Sequence, residues 1–358
     1  MEEKVERLIK WARGEKVYPL TLELNITSKC NLKCRFCWLR SANPNYSTEL
    51  SDEELIRIVN EAIGLSVEEF RFPGSGEPLM RKEILLELMK RIKDNGKMGL
   101  LISNGTLFDE KIIKEMVELS WDVLTISLEG PDAETHDSLT QVKGSFSQTI
   151  KNLELIKKWK EKLGEENPWL RMNVVLTNRN YDKLEKIIEL GAKFNFKEII
   201  LQPMTIFSEE GKKLRVKNIE SVNNYLKVAE KKAKNLGIKT NVHSFIKNVI
   251  IERTNEMEKL INEEIKKFND NFLSVPCYEP FYNLIIMPGG EAGPCAIAGN
   301  RVEAGVKNTA LKDVWFNKCF EVFRKKLLNK ELFPFCHHCC VPVFLENKRL
   351  RKELARVI

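Results

Sequence analysis

The sequence predicts an α/β fold built on a parallel sheet, followed by a smaller cysteine-rich unit. Three observations carry this. Six short apolar runs alternate with amphipathic helical stretches between residues 20 and 202, the pattern of strand–crossover–strand units in a barrel or an open doubly wound sheet. Each run is followed by a polar or glycine-rich turn, and in parallel α/β folds that C-terminal edge carries the active site. The nine cysteines fall in two groups, three at 30, 34 and 37 and six between 277 and 340, with none between; scattered core cysteines would not leave that gap.

Taken in order, residues 3–13 read as a short helix and 20–26 as the first strand, which runs into the cysteine loop. Ser51-Asp52-Glu53-Glu54 is a capping box, and Leu55, Ile58, Val59, Ala62 and Ile63 then recur at helical spacing up to Gly64. Strand two, 69–72, is followed by Pro73-Gly74-Ser75-Gly76-Glu77-Pro78. A helix at 81–94 leads to strand three, 98–102, and Ser103-Asn104-Gly105. A helix at 110–119 leads to strand four, 123–127, and Leu128-Glu129-Gly130-Pro131. Helices at 146–163 and 181–194 bracket strand five, 170–176, and strand six is 198–202. Beyond it, 219–235 and 245–268 are helical, with no further strand of this kind. Residues 284–287 and 295–298 flank Pro288-Gly289-Gly290 as a β-hairpin. A helix at 311–328 follows, then a basic helix whose Lys348, Arg349, Arg351 and Lys352 are expected on a solvated face.

At 358 residues the chain can bury about three quarters of its surface. It has no apolar run long enough for a membrane span. Its charged start lacks a signal peptide's apolar stretch, so a cytoplasmic protein is expected. The net charge of +7 reads as a solvated surface, because no aromatic–basic interleaving marks a nucleic-acid footprint. In a reducing compartment, clustered cysteines point to metal rather than disulfides.

Cys30, Cys34 and Cys37 form C-x3-C-x2-C. Three thiolates this close can share one metal centre, and a four-iron cluster held by three has one iron open. Zinc, the competing occupant, usually wants a closed set of four, and no fourth Cys or His lies nearby in sequence. For the later cysteines a zinc ribbon is the competing reading.

The C-x3-C-x2-C loop, with Phe36 before its last cysteine, resembles the signature of radical S-adenosylmethionine (radical SAM) enzymes. Gly74-Ser75-Gly76-Glu77-Pro78 resembles their Gly-Gly-Glu-Pro stretch, with Ser75 inserted. The resemblance implies a partial (β/α)6 TIM-like barrel over about 18–210, after an N-terminal helix at 1–17. Cys30, Cys34 and Cys37 would hold a [4Fe-4S] cluster whose fourth iron binds SAM. Gly74 and Gly76 would let the backbone approach the methionine moiety, and Glu77 would face its ammonium. Ser103 and Asn104 resemble the residues that reach the ribose, and Ser127, Glu129 and Arg171 fall where the family often contacts ribose or carboxylate. Reductive cleavage of SAM would give a 5′-deoxyadenosyl radical that abstracts hydrogen from an inert C–H bond.

Cys277-x12-Gly290-x4-Cys295 is similar to the opening of the SPASM and "twitch" auxiliary-cluster domains. This implies a small domain at 274–345, with a β-hairpin and helices, after a helical connector at 211–273 and before a C-terminal helix at 346–358. The cysteine count implies one auxiliary [4Fe-4S] cluster on Cys277, Cys295, Cys336 and Cys339, with Cys340 an alternative to Cys339; Cys319 is expected in the core. His337 and His338 are expected as loop residues beside the cluster. Sulfatase-maturing relatives carry a basic Asp after the first auxiliary cysteine; here Tyr278 stands there, which argues against formylglycine formation. With the barrel starting near residue 20, no N-terminal peptide-recognition domain is expected. Expected partners are a peptide or small-molecule substrate and an electron donor such as ferredoxin or flavodoxin. Thioether or epimerising peptide maturation, oxidation of a sugar or cofactor precursor, and a non-catalytic iron–sulfur electron carrier are the rival functions. No residue stands out as the catalytic base.

Overall fold

A computed structural model describes residues 2–39, 48–204, 206, 208–216, 219–246, 257–298, 304–339 and 341–358. The strands are β1 (Thr21–Leu24), β2 (Glu69–Phe72), β3 (Met98–Ser103), β4 (Val123–Ser127), β5 (Trp169–Val175), β6 (Glu198–Gln202), β7 (Lys239–Thr240), β8 (Asn283–Ile286) and β9 (Ala292–Gly293). They form one sheet in the order β7-β6-β5-β4-β3-β2-β1-β8-β9. Every pairing is parallel except β8 with β9. The six expected strands are there in sequential order, as a partial barrel requires.

Three departures sharpen this picture. A short seventh strand pairs Glu198 with Lys239 and Ile199 with Thr240; two residues leave no periodicity for a sequence to show. The hairpin joins the barrel's own sheet, because β8 pairs with β1 from Thr21↔Asn283 to Leu24↔Ile286. Its return strand is Ala292–Gly293 rather than 295–298. Gly290, at φ +94°, lets its N–H reach the Met287 carbonyl at 2.9 Å while Met287 N–H bonds Glu291 O at 2.8 Å, so the turn closes early and Cys295 lies beyond it.

The crossover helices are α1 (Glu2–Ala12), before the sheet, then α2 (Asp52–Gly64), α3 (Lys82–Asp94), α4 (Glu110–Glu118), α5 (Ala133–Thr140), α6 (Ser145–Leu163) and α7 (Leu184–Lys193). Ser51 and Glu54 form the expected capping box on α2. Helix α5 was not anticipated: its eight residues carry little apolar stripe, and it starts on the Asp132 side chain, which accepts from Thr135 N–H at 2.8 Å. Further helices are α8 (Ile219–Asn235), α9 (Met257–Ile265), α10 (Leu311–Trp315), α11 (Lys318–Leu328) and α12 (Val341–Leu354). The single helix expected at 311–328 is broken where the Asn317 side chain caps α11, accepting from Phe320 N–H at 2.9 Å. No helix among the described residues is long and apolar enough to cross a membrane.

Alternation decides what each face of the sheet does. Leu22, Leu24, Phe70, Phe72, Leu124, Ile126, Met172 and Leu201 share one core with helix residues such as Leu55, Ile58, Leu88, Ile113 and Ile156. The other face is polar. There Arg71 bonds Glu69 at 2.8 Å and Glu23 at 3.1 Å, and Arg171 bonds Glu198 at 2.7 Å. Burial opposes the charge on Arg71, but its two carboxylates outweigh that and raise its pKa.

A second apolar cluster joins Leu8 of α1 to Phe272, Tyr278, Phe281, Phe323, Leu327, Leu350 and Leu354. It corrects the expectation of a solvated basic tail. Arg351 is buried and donates to the carbonyls of Leu273 and Val275, both at 2.7 Å. Helix α12 lies on the 272–278 loop, so Arg351 faces inward and is satisfied by backbone, while Lys348 and Arg349 stay half-exposed.

Candidate active site and second cysteine cavity

The cysteine loop is fixed from several sides. Glu49 accepts from Ser28 N–H at 2.7 Å and from Thr27 Oγ1 at 3.1 Å. Asn31 Nδ2 donates to Thr106 Oγ1 at 2.8 Å, and Glu77 N–H donates to the Lys29 carbonyl at 2.8 Å. A Cβ at Gly76 would lie 2.3 Å from that same carbonyl oxygen. Gly76 is therefore required by the approach of the cysteine loop itself, before any ligand is considered. Gly74 sits at φ +78°, a conformation that glycine adopts without strain. The extra Ser75 also has a use: its N–H and Oγ donate to Asn25 Oδ1 at 3.0 and 2.8 Å, tying the glycine loop to the end of β1.

At the C-terminal ends of the strands one pocket of about 320 Å³ gathers Cys30, Cys34, Phe36, Cys37, Gly74, Gly76, Glu77, Ser103, Asn104, Ser127 and Glu129. Of the positions singled out in the barrel sequence only Arg171 is absent from its wall. Arg171 is on the same face of β5 as Asn173 and Val175, which do line the pocket. It lies two residues, about 7 Å, nearer the start of the strand, where Glu198 takes it. Period-2 counting forward from Arg171 would have reached Asn173. Gln202, at the end of β6, also lines the pocket and carried no sequence signal beyond being polar at a strand end.

The buried carboxylates on this wall are held unequally. Glu77 accepts from Ser103 Oγ at 2.8 Å, Asn104 N–H at 2.7 Å and Leu79 N–H at 3.1 Å. Burial nonetheless outweighs these donors and pushes its pKa up to about 7. Glu129 accepts from Val175 N–H at 2.7 Å, and burial pushes it up to about 8. Asn104 is occupied within the wall: Nδ2 donates to Asn31 Oδ1 at 2.9 Å and Oδ1 accepts from Thr106 N–H at 2.9 Å. Burial raises the Cys30 thiol to about 11 and Cys34 well above its ordinary value. Thiols tuned this way are poor nucleophiles, and they ionise when a metal displaces the proton. Three thiols on the wall of a pocket that also offers buried carboxylates, amides and apolar side chains fit a [4Fe-4S] cluster with one iron left for a ligand.

A second cavity is lined by Cys277, Cys295, Cys336 and Cys339 together. Glu23 of β1 and Asn283 and Ile285 of β8 close one side, and Ile261, Phe323, Leu327, Leu332 and Phe335 close the other. It therefore lies against the polar inner face at the β1–β8 edge. Among the described residues no three His, Cys, Asp or Glu side chains are drawn together as ligands of a single ion; both thiol sets ring a space instead. Four soft thiol donors around an enclosed space fit a four-iron cluster. Cys319 packs with the apolar cluster. Cys340 and the side chains of His337 and His338 lie outside the described residues. Tyr278 is fully buried, its hydroxyl donates to the Phe272 carbonyl at 3.0 Å, and burial pushes its pKa up to about 12. It packs into the core and does not line the cavity wall.

Known proteins fit this geometry. Residues 24–191 match the radical SAM superfamily, and residues 277–340 match SPASM, an iron-sulfur cluster-binding domain. The chain belongs to the radical SAM superfamily and carries a C-terminal SPASM domain. Both domains imply [4Fe-4S] clusters, with S-adenosylmethionine as the barrel's cofactor. An AdoMet-dependent heme synthase of Methanosarcina barkeri is 24% identical over 90% of this chain and 88% of that protein. Streptococcus suis SuiB bound to its precursor peptide SuiA superimposes with a TM-score of 0.65 and 18% identity, over 89% of this chain and 70% of that one. The anSMEcpe structure with bound AdoMet gives 0.60 and 18%, over 94% and 97%.

Proposed function

We propose that this chain is an enzyme with two cluster sites. Cys30, Cys34 and Cys37 hold a [4Fe-4S] cluster with SAM on its open iron. Cys277, Cys295, Cys336 and Cys339 close a second cluster. The substrate is a peptide or small molecule, oxidised or newly bonded at an unactivated carbon. One observation carries this reading: the C-terminal ends of six strands, β1 to β6, bring polar groups around three thiols in a single pocket.

When bound, the cluster and SAM would supply hydrogen abstraction from an unactivated carbon. The protein's part is to place and to exclude. Glu77, fixed by Ser103, Asn104 and Leu79, keeps its remaining lone pairs for an ammonium group. Ser103 spends its hydroxyl on Glu77, so Ser127, Asn173 and Gln202 are the wall's hydroxyl and amide groups left for ribose. Leu32, Trp38, Leu39, Ile102 and Val175 line the rest of the pocket and keep water from the reacting carbon. The second site, closed by four cysteines, offers no iron to substrate and suits one-electron acceptance. An external reductant such as ferredoxin or flavodoxin supplies the electron for SAM cleavage.

The test is anaerobic reconstitution with iron and sulfide, then SAM and a strong reductant. The wild type should hold about eight irons, four per cluster, and release 5′-deoxyadenosine. Cys30→Ala should lower that release about a thousandfold, as loss of an essential group does. Equal release from Cys30→Ala would end the assignment, and iron uptake without SAM cleavage would favour a non-catalytic electron carrier.

A further inference from the structure

Helix α5 touches both halves of the candidate active site. At one end the Glu129 N–H donates to His136 Nδ1 at 3.0 Å. His136 is fully buried, and its Nε2 has no partner among the described residues. One turn later, the carbonyls of Leu139 and Thr140 accept from Arg35 N–H and Lys33 N–H, each at 3.0 Å. Those two donors flank Cys34. Glu129 and the Cys34 segment are thus hung on the same helix, one helical turn of about 5.4 Å apart.

The helix itself cannot easily slide. Asp137 accepts from Ser145 Oγ at 2.8 Å and Phe146 N–H at 2.9 Å, at the start of α6, and Thr140 Oγ1 lies 2.8 Å from Ser145 Oγ. Gly130 is pressed onto the helix, where a Cβ would meet Thr135 Cβ at 2.6 Å. An apolar side chain at 136 would avoid burying an unpaired N–H, which opposes folding. The imidazole's contribution is its acceptor at Nδ1. Burial lowers its pKa to about 4, so that acceptor persists at neutral pH.

We propose that α5 is a rigid strut that sets the placement of Glu129 relative to Cys34, with His136 as its positioning residue. This rests on the reading of the pocket as the SAM site. Two variants test it in the reconstituted holoenzyme. His136→Leu removes the acceptor; His136→Asn restores one, because Asn Oδ1 falls where Nδ1 lies. Hydrogen–deuterium exchange is followed at 129–131 and at 33–35, and the KM for SAM is compared with kcat.

His136→Leu should speed exchange in both segments and raise the KM for SAM about tenfold, the scale of lost outer-shell support, with a smaller change in kcat at saturating SAM. His136→Asn should return both to within about twofold of wild type. Faster exchange at 129–131 alone, an unchanged KM, or an Asn variant no better than Leu would overturn the strut. If the Leu variant does not fold, the Asn variant decides: wild-type exchange and KM uphold the strut, and a raised KM overturns it. Failure of the wild type to cleave SAM would instead refute the functional reading, and the exchange comparison would still report on the strut.

Discussion

The two cysteine sets are made in opposite ways. Cys30, Cys34 and Cys37 come from one loop at a strand end, on a pocket wall that also carries carboxylates and amides. Cys277, Cys295, Cys336 and Cys339 come from three separate segments and meet only because β8 pairs with β1 and α12 clamps the 272–278 loop. Their surroundings are mostly aromatic and aliphatic. The first set is a cup that a ligand completes; the second is closed by the fold itself. Local sequence therefore determines the first, and tertiary packing determines the second.

That contrast can be broken in graded steps. The largest effect is expected from Cys277→Ala, which should abolish substrate turnover by about a thousandfold while SAM cleavage without substrate stays within about threefold. Iron analysis beside the 5′-deoxyadenosine assay checks both. Next, Arg351→Met strands two buried carbonyls and should cost about 3 kcal/mol of stability. The second cluster should become labile while the first keeps cleaving SAM, as iron release in chelator would show; simultaneous loss of both would contradict separate construction.

A pH effect is expected at the first site. His136 is neutral in the fold, with its pKa lowered to about 4, so the stability it contributes is fully present above its unfolded value of about 6.5. It is lost as pH falls from there through 4, by up to about 3 kcal/mol. Thermal melts of wild type and His136→Asn should diverge over that window and run parallel above pH 7. The smallest effect belongs to Arg171, which pairs with Glu198 below the pocket: Arg171→Met should leave the KM for SAM within about twofold, whereas Asn173→Ala should raise it several-fold, to about the extent one lost hydrogen bond allows.

Much of the first site was legible because its determinants are contiguous. The cysteine spacing, Gly74 to Glu77 and the turns at 103–105 and 127–130 each sit at the end of a readable strand, and parallel topology brings strand ends together. Arg171 misled because alternation fixes a face and says nothing of depth along the strand; Asn173, two residues on, has the same face and the right height. In the sequence Gly76 suggests room for a ligand, yet the Lys29 carbonyl is what excludes a side chain. Helix α5 escaped notice because its hold on the cysteine loop runs through backbone carbonyls, which leave no residue signature. At the second site the four cysteines were countable, but the clamp by Arg351 was not, since a basic residue on a terminal helix ordinarily faces water.

SAM is expected to meet only the cluster on Cys30, Cys34 and Cys37. Electron paramagnetic resonance of the reduced protein tests it directly, with and without SAM, in Cys277→Ala and in Cys30→Ala. SAM should shift the one cluster signal left in Cys277→Ala and leave the signal of Cys30→Ala unmoved. A SAM-dependent shift in Cys30→Ala, or none in Cys277→Ala, would contradict it.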